Sequence, residues 1–117
     1  MRLERAVDQF IGELARRGYS ARTRDDYWRK LNRLSDRLPD ADVTGVGAED
    51  CRTYLDRWRD ASPGTIAHSV SVLNSFFTWL YDEGLIERSP MERIKRPRIL
   101  DQIAGYAAFR GNLAQPI

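Results

Sequence analysis

The chain has 117 residues, with 19 Lys and Arg against 17 Asp and Glu, one His and one Cys. That length fits one domain of ordinary size, able to bury a core without cross-links. The lone Cys excludes an internal disulfide, and with a lone His it excludes a Cys/His zinc site, so no metal and no cofactor is expected. Chemistry that needs two histidines is excluded as well. The formal net charge of +2 is too small to announce a polyanionic partner by itself. No apolar run approaches the roughly 20 residues of a membrane span, and no signal-peptide pattern opens the chain. The protein therefore reads as cytoplasmic, without a membrane partner.

The elements follow in chain order. Leu3, Ala6, Val7, Phe10 and Leu14 recur at helical spacing, which predicts an amphipathic helix over residues 2–17, with Gly18 as its stop. Ser20 is suited to cap a second helix, with Thr23 and Asp26 as an alternative capping start. Tyr27, Leu31, Leu34 and Leu38 give that helix one apolar face, and Pro39 ends it. Residues 39–47 are rich in turn formers. Val46 and Cys51, flanking Gly47, suit a hydrophobic staple, so a third helix starts near Ala48 with the face Cys51, Tyr54, Leu55 and Trp58. Ser62 and Pro63 mark a fourth start, with Ile66, Val70, Leu73, Phe77 and Leu80 on one side and Gly84 as the stop. Ser89, Pro90, Met91 and Glu92 repeat the cap and proline signal and predict a further short helix. No strand is predicted, because alternation is absent. Trp28, Trp58 and Trp79 are expected to supply much of the buried area.

The small net charge hides an uneven layout. Residues 21–38 carry six cations and three acids, residues 39–61 three cations and six acids, and residues 62–81 no charged side chain at all. On the second helix Arg22, Arg29 and Arg33 lie opposite Leu31, with Lys30 and Arg37 flanking. Asp25 with Arg29 and Asp26 with Lys30 stand four apart, so a solvated, internally paired face reads from the same residues. On the fourth helix the side opposite Leu73 is Ala67, His68, Ser71, Asn74, Ser75 and Thr78. Small polar side chains without acids allow close approach to a polyanion and can donate to phosphates or base edges. A helix packed on another protein suits the same pattern. Arg93, Lys95, Arg96 and Arg98, stiffened by Pro97, form a basic strap of a kind that contacts backbone phosphates.

Catalytic chemistry is not expected. His68 is the only imidazole and has no acid within a helical turn of it. The pairs Asp25/Asp26 and Glu49/Asp50 fall in predicted first turns, where they complement the helix dipole. There is no phosphate-cradling glycine loop and no metal-ligand spacing, and no small-molecule ligand is expected.

Together these residues resemble the N-terminal, core-binding (SAM-like) DNA-binding domain of the tyrosine recombinases, or phage integrases. The likeness is carried by Phe10 and Leu14, by Gly18-Tyr19-Ser20-Ala21-Arg22-Thr23 with Tyr27 and Leu31, and by Ala48-Glu49-Asp50 with Tyr54-Leu55. It is strongest in Ser62-Pro63-Gly64-Thr65-Ile66, in Leu73-Asn74-Ser75-Phe76-Phe77-Thr78-Trp79-Leu80, and in Gly84-Leu85-Ile86 with Ser89-Pro90-Met91; Lys95-Arg96-Pro97 matches the family's linker. It covers residues 3–98.

The resemblance implies an all-α, four-helix SAM-like core-binding bundle with a short extra helix and a C-terminal tail. Residues 1–88 would be the core-binding domain, 89–98 the short helix and basic linker, and 99–117 the tail. It implies one jaw of a clamp on duplex DNA, with the second and fourth helices against the major groove and the linker crossing the backbone. Ser20, Thr23 and Arg24 would contact phosphates, with Arg22, Lys30, Lys95, Arg96 and Arg98 adding charge. Thr65, His68, Ser71, Asn74 and Ser75 would look toward the groove. Asn74 departs from the pattern, since a basic residue is frequent there. The family's arginine, lysine, His-x-x-Arg element and nucleophilic tyrosine are not found; residue 71, three places after His68, is Ser, and Tyr106 stands alone. The chain is thus expected to bind DNA without the catalytic half. A catalytic domain or a full-length recombinase is a further expected partner, docking on the uncharged face or on an aromatic edge of Val72, Phe76 and Trp79.

Overall fold

The computed structural model describes residues 1–94. In order they form α1 (Leu3–Arg16), α2 (Ala21–Arg37), a 3-10 turn (Val43–Gly45), α3 (Ala48–Asp56), α4 (Pro63–Asp82) and a second 3-10 turn (Pro90–Arg93). The predicted all-α class holds. Among the described residues the only extended pairing is an isolated bridge between Arg2 and Asp42, which ties the 39–47 connection to the start of α1. No helix among the described residues is long and apolar enough to cross a membrane. The basic strap from Lys95 and the tail 99–117 lie outside the described residues.

Local chemistry sets the helix ends. Ser20 and Ser62 are N-caps whose hydroxyls accept from the backbone N–H of Thr23 and Thr65, at 3.2 and 3.3 Å. Pro63 occupies the first turn of α4, where its missing N–H is no loss. At α3 the Asp50 carboxylate accepts from Gly47 N–H at 2.9 Å. Gly18 and Gly84 follow α1 and α4 with φ of +86° and +75°, the left-handed region that lets the chain turn away. The short helix expected after Ser89 is a 3-10 turn.

The core centres on Phe10. Its ring meets Phe76 and Trp79 at 5.5 Å each and Tyr27 at 6.4 Å, joining α1, α2 and α4. Tyr54, fully buried on α3, donates its hydroxyl to the Lys30 carbonyl of α2 at 2.7 Å. Leu3, Ala6, Val7 and Leu14 of α1 and Leu31 and Leu34 of α2 are buried as their spacing predicts.

Two expectations are corrected. α4 buries Ser69, Val72, Phe76 and Trp79 besides Val70, Leu73, Phe77 and Leu80. It is wider on its apolar side than a single stripe because it packs against α1, α2, α3 and the second 3-10 turn. The aromatic edge of Val72, Phe76 and Trp79 therefore belongs to the chain's own core and is no docking surface. The tryptophans also divide: Trp79 is buried, Trp58 partly buried, and Trp28 is 40% exposed.

Candidate nucleic-acid interface

The half of α4 left outside the core presents Ser71, Asn74, Ser75 and Thr78, all exposed, with Thr65 and His68 half-buried toward its start. α2 lies alongside. Tyr27 of α2 meets the His68 ring edge-to-face at 5.8 Å, and Tyr19, just before α2, meets Tyr27 at 6.1 Å. Burial pushes the Tyr27 phenol above its ordinary range, with Tyr19 adding to the shift, so it stays a neutral hydroxyl. Arg17, Tyr19, Asn74, Ser75, Thr78 and Asp82 line a shallow depression at the far end of this face. The outward side of α4 thus meets the start of α2 through Tyr19 and Tyr27, at His68, Asn74 and Ser75.

Their roles differ in detail. The Ser20 hydroxyl also donates to Thr23 Oγ1 at 3.0 Å, and Arg24 Nε donates to the Tyr19 carbonyl at 3.2 Å, so the start of α2 is held by its own side chains. At α4 the Ser62 and Thr65 hydroxyls pair in the same way at 2.9 Å. Neither helix has an acid in its first turn, since α2 starts at Ala21 and the expected first-turn pair Asp25 and Asp26 falls beyond it, whereas α1 has Glu4 and α3 has Glu49 and Asp50. The positive ends of α2 and α4 are therefore left without a neutralising carboxylate of their own.

The charges of α2 divide into engaged and unengaged groups. Arg29 pairs with Asp25 at 2.9 Å and Lys30 with Asp26 at 2.8 Å, as their i,i+4 spacing predicts. The Lys30 side chain is only 14% exposed and its Nζ lies 5.8 Å from the centre of the Trp58 ring. Among the described residues no ion pair engages Arg22, Arg24, Arg33, Arg37 or Arg57.

Two features escape sequence reasoning. Asp26 is bonded through Oδ2 to Nε2 of His68, so an acid does reach the imidazole, from another helix and 42 positions away. Burial opposes ionisation of Asp26, but the hydrogen bonds from Lys30 and His68 outweigh it and hold the carboxyl below its ordinary range. The second is Arg57, at the end of α3. Its guanidinium lies 5.9 Å from the Tyr54 ring and 5.6 Å from the Trp58 ring, the ring that Lys30 also meets. Its only sequence signal is an arginine between two aromatics of a predicted core face. Among the described residues no cluster of His, Cys, Asp and Glu is arranged to hold a metal.

An all-α domain whose second and fourth helices join an acid-poor polar face to unengaged guanidinium groups has the build of a helical binding module. Residues 7–84 match the family described as phage integrase, N-terminal SAM-like domain. The chain belongs to that family. It is 34% identical over 97 residues to a tyrosine recombinase XerC of Erythrobacter litoralis (strain HTCC2594), covering 79% of this chain and 30% of that protein. It is 50% identical over 42 residues to a tyrosine recombinase of Thermosipho africanus (strain TCF52B), covering 36% of this chain and 15% of that one. The chain thus spans less than a third of the length of these curated relatives. No solved structure matches it.

Proposed function

We propose that this chain is the DNA-binding, core-binding part of a tyrosine recombinase, gripping duplex DNA as one half of a clamp. The observation that carries the reading is the shared face of α2 and α4: uncharged and small on α4, with unengaged arginines on α2 and the first turns of both helices free of acids. In this reading α4 lies against the major groove, where Ser71, Asn74 and Ser75 reach base edges. Ser20, Thr23 and Arg24 fix the domain on the phosphates, with Arg22, Arg33 and Arg57 adding charge beside them. Lys30 acts through Asp26 and Trp58 rather than as a free cation. The strap of Lys95, Arg96 and Arg98 joins the reading from sequence alone, as the segment that crosses the backbone. This part of the protein binds and orients; breaking and rejoining strands belongs to the catalytic part of a full-length recombinase.

Fluorescence anisotropy with duplex DNA over a salt series tests the proposal. Neutralising about three to five phosphates gives a slope of log affinity against log salt of about −3 to −4. Absence of binding at low salt would overturn it.

A further inference from the structure

Within the helices, Ser20 bonds Thr23, Lys30 bonds Asp26 and Ser62 bonds Thr65. His68 and Asp26 join the two helices. The Asp26 carboxylate has both oxygens engaged, Oδ1 by Lys30 Nζ at 2.8 Å and Oδ2 by His68 Nε2. A carboxylate only accepts, so Nε2 carries a proton, and in the neutral imidazole the lone pair is on Nδ1. Tyr27, edge-to-face with a 76° interplanar angle, fixes the plane of the ring. The His68 side chain is 43% exposed, and among the described residues no hydrogen bond reaches Nδ1.

We propose that Asp26 is a positioning residue of the DNA interface, holding His68 so that Nδ1 is the edge offered to a base in the major groove. This rests on the DNA-binding reading above. The chemistry of that edge follows. With a neutral ring Nδ1 accepts, and its partners in the groove are the amino groups of adenine and cytosine. In the opposite tautomer Nδ1–H donates, and its partners become the acceptor atoms of guanine and thymine. Asp26 selects the first tautomer, because its carboxyl, held below the ordinary range, only accepts at Nε2. The groups facing His68 are Asp26 and Tyr27 from α2, with Lys30 on the far oxygen of Asp26 and Tyr19 behind Tyr27. α4 itself adds no charged residue before Asp82. One base position therefore depends on Asp26 for its preferred partner, while the phosphate contacts, made by arginines, do not.

The test is selection from a duplex library with randomised groove positions, by the wild-type chain and by Asp26 variants. The wild-type chain is expected to enrich adenine or cytosine over guanine or thymine at one position. The expected enrichment is about fivefold, the worth of one hydrogen bond. Asp26→Asn keeps an acceptor for Nε2–H and should keep this preference; Asp26→Ala should lose it. Because His68 is the only histidine, imidazole nitrogen NMR of the free protein reads its tautomer directly, and Nδ1–H as the main form at about pH 8 would overturn the proposal. So would a wild-type selection with no adenine or cytosine preference at any position, which needs no variant to fold. Binding without that preference sinks this inference alone. No binding by any variant at low salt sinks the DNA reading with it.

Discussion

The four helices divide into two pairs by how they begin. α1 and α3 place acids in the first turn, Glu4 in one and Glu49 with Asp50 in the other. α2 and α4 instead begin with a serine cap and a threonine three places on, and no acid. All four starts carry the same dipole and the same unpaired N–H groups. Only the second pair begins without a carboxylate of its own. The candidate face is marked as much by the carboxylates it lacks as by the arginines it has. Within the second pair there is a further division: α2 brings charge, while α4 brings shape and the largest share of the core.

That division can be broken at several points. The largest effect is expected on the core side of α4. Phe76→Ala removes a ring packed 5.5 Å from Phe10 and 5.1 Å from Phe77, and should cost about 3–5 kcal/mol in a urea denaturation series. Ser75→Ala, one place away and exposed, should leave the midpoint in place; equal losses would erase the two-sided account of α4. Next in size, Arg24→Ala should weaken binding to all DNA sequences alike and lower the salt slope by about 1, whereas His68→Ala and Ser75→Ala should act mainly on sequence preference. Equal effects of all three on random DNA would merge the two roles.

Smaller effects sharpen the contrast of helix starts. Ser62→Ala removes the α4 cap and should cost about 1 kcal/mol. Thr65→Glu places an acid where α3 has one; stability should hold or rise slightly while DNA affinity falls, and unchanged affinity would remove the first turn of α4 from the interface. The Asp26 contribution has a definite pH sense. Because its carboxyl lies below the ordinary range when folded, its stabilisation is full above about pH 4 and is lost as pH falls through the depressed value. Asp26→Asn should flatten the acid side of a stability profile. The smallest effect concerns Cys51, whose thiol is pushed up to about 12 by burial, with Asp50 adding to the shift. Alkylating reagents should leave it unmodified in the folded protein.

What was legible in the sequence was local. Ser20, Gly47, Ser62 and Pro63 announced their helix starts because a cap needs only its next three residues. The apolar stripes of α1 and α2 follow from spacing alone, since each helix buries one side. α4 does not, because the width of its buried side depends on how many neighbours it meets. Val72, Phe76 and Trp79 were therefore misplaced at its edge. Trp28 was misplaced in the opposite sense: large and apolar, it still projects from α2. The face of α2 and α4 was legible from charge counts, but its internal bonds were not. Asp26 with His68 and Lys30 with Trp58 join residues far apart in the chain, and no periodicity carries that information.

The burial of α4 along half its circumference bears on how such a domain diversifies. A helix wedged among three others cannot slide or rotate to follow a different groove without disturbing Phe10, Phe76 and Trp79 together. Its outward side chains, by contrast, are short and exposed, and exchanging them leaves every core contact intact. Under the proposed reading, single substitutions at Ser71, Asn74 or Ser75 would then rewrite target preference on a backbone that stays put.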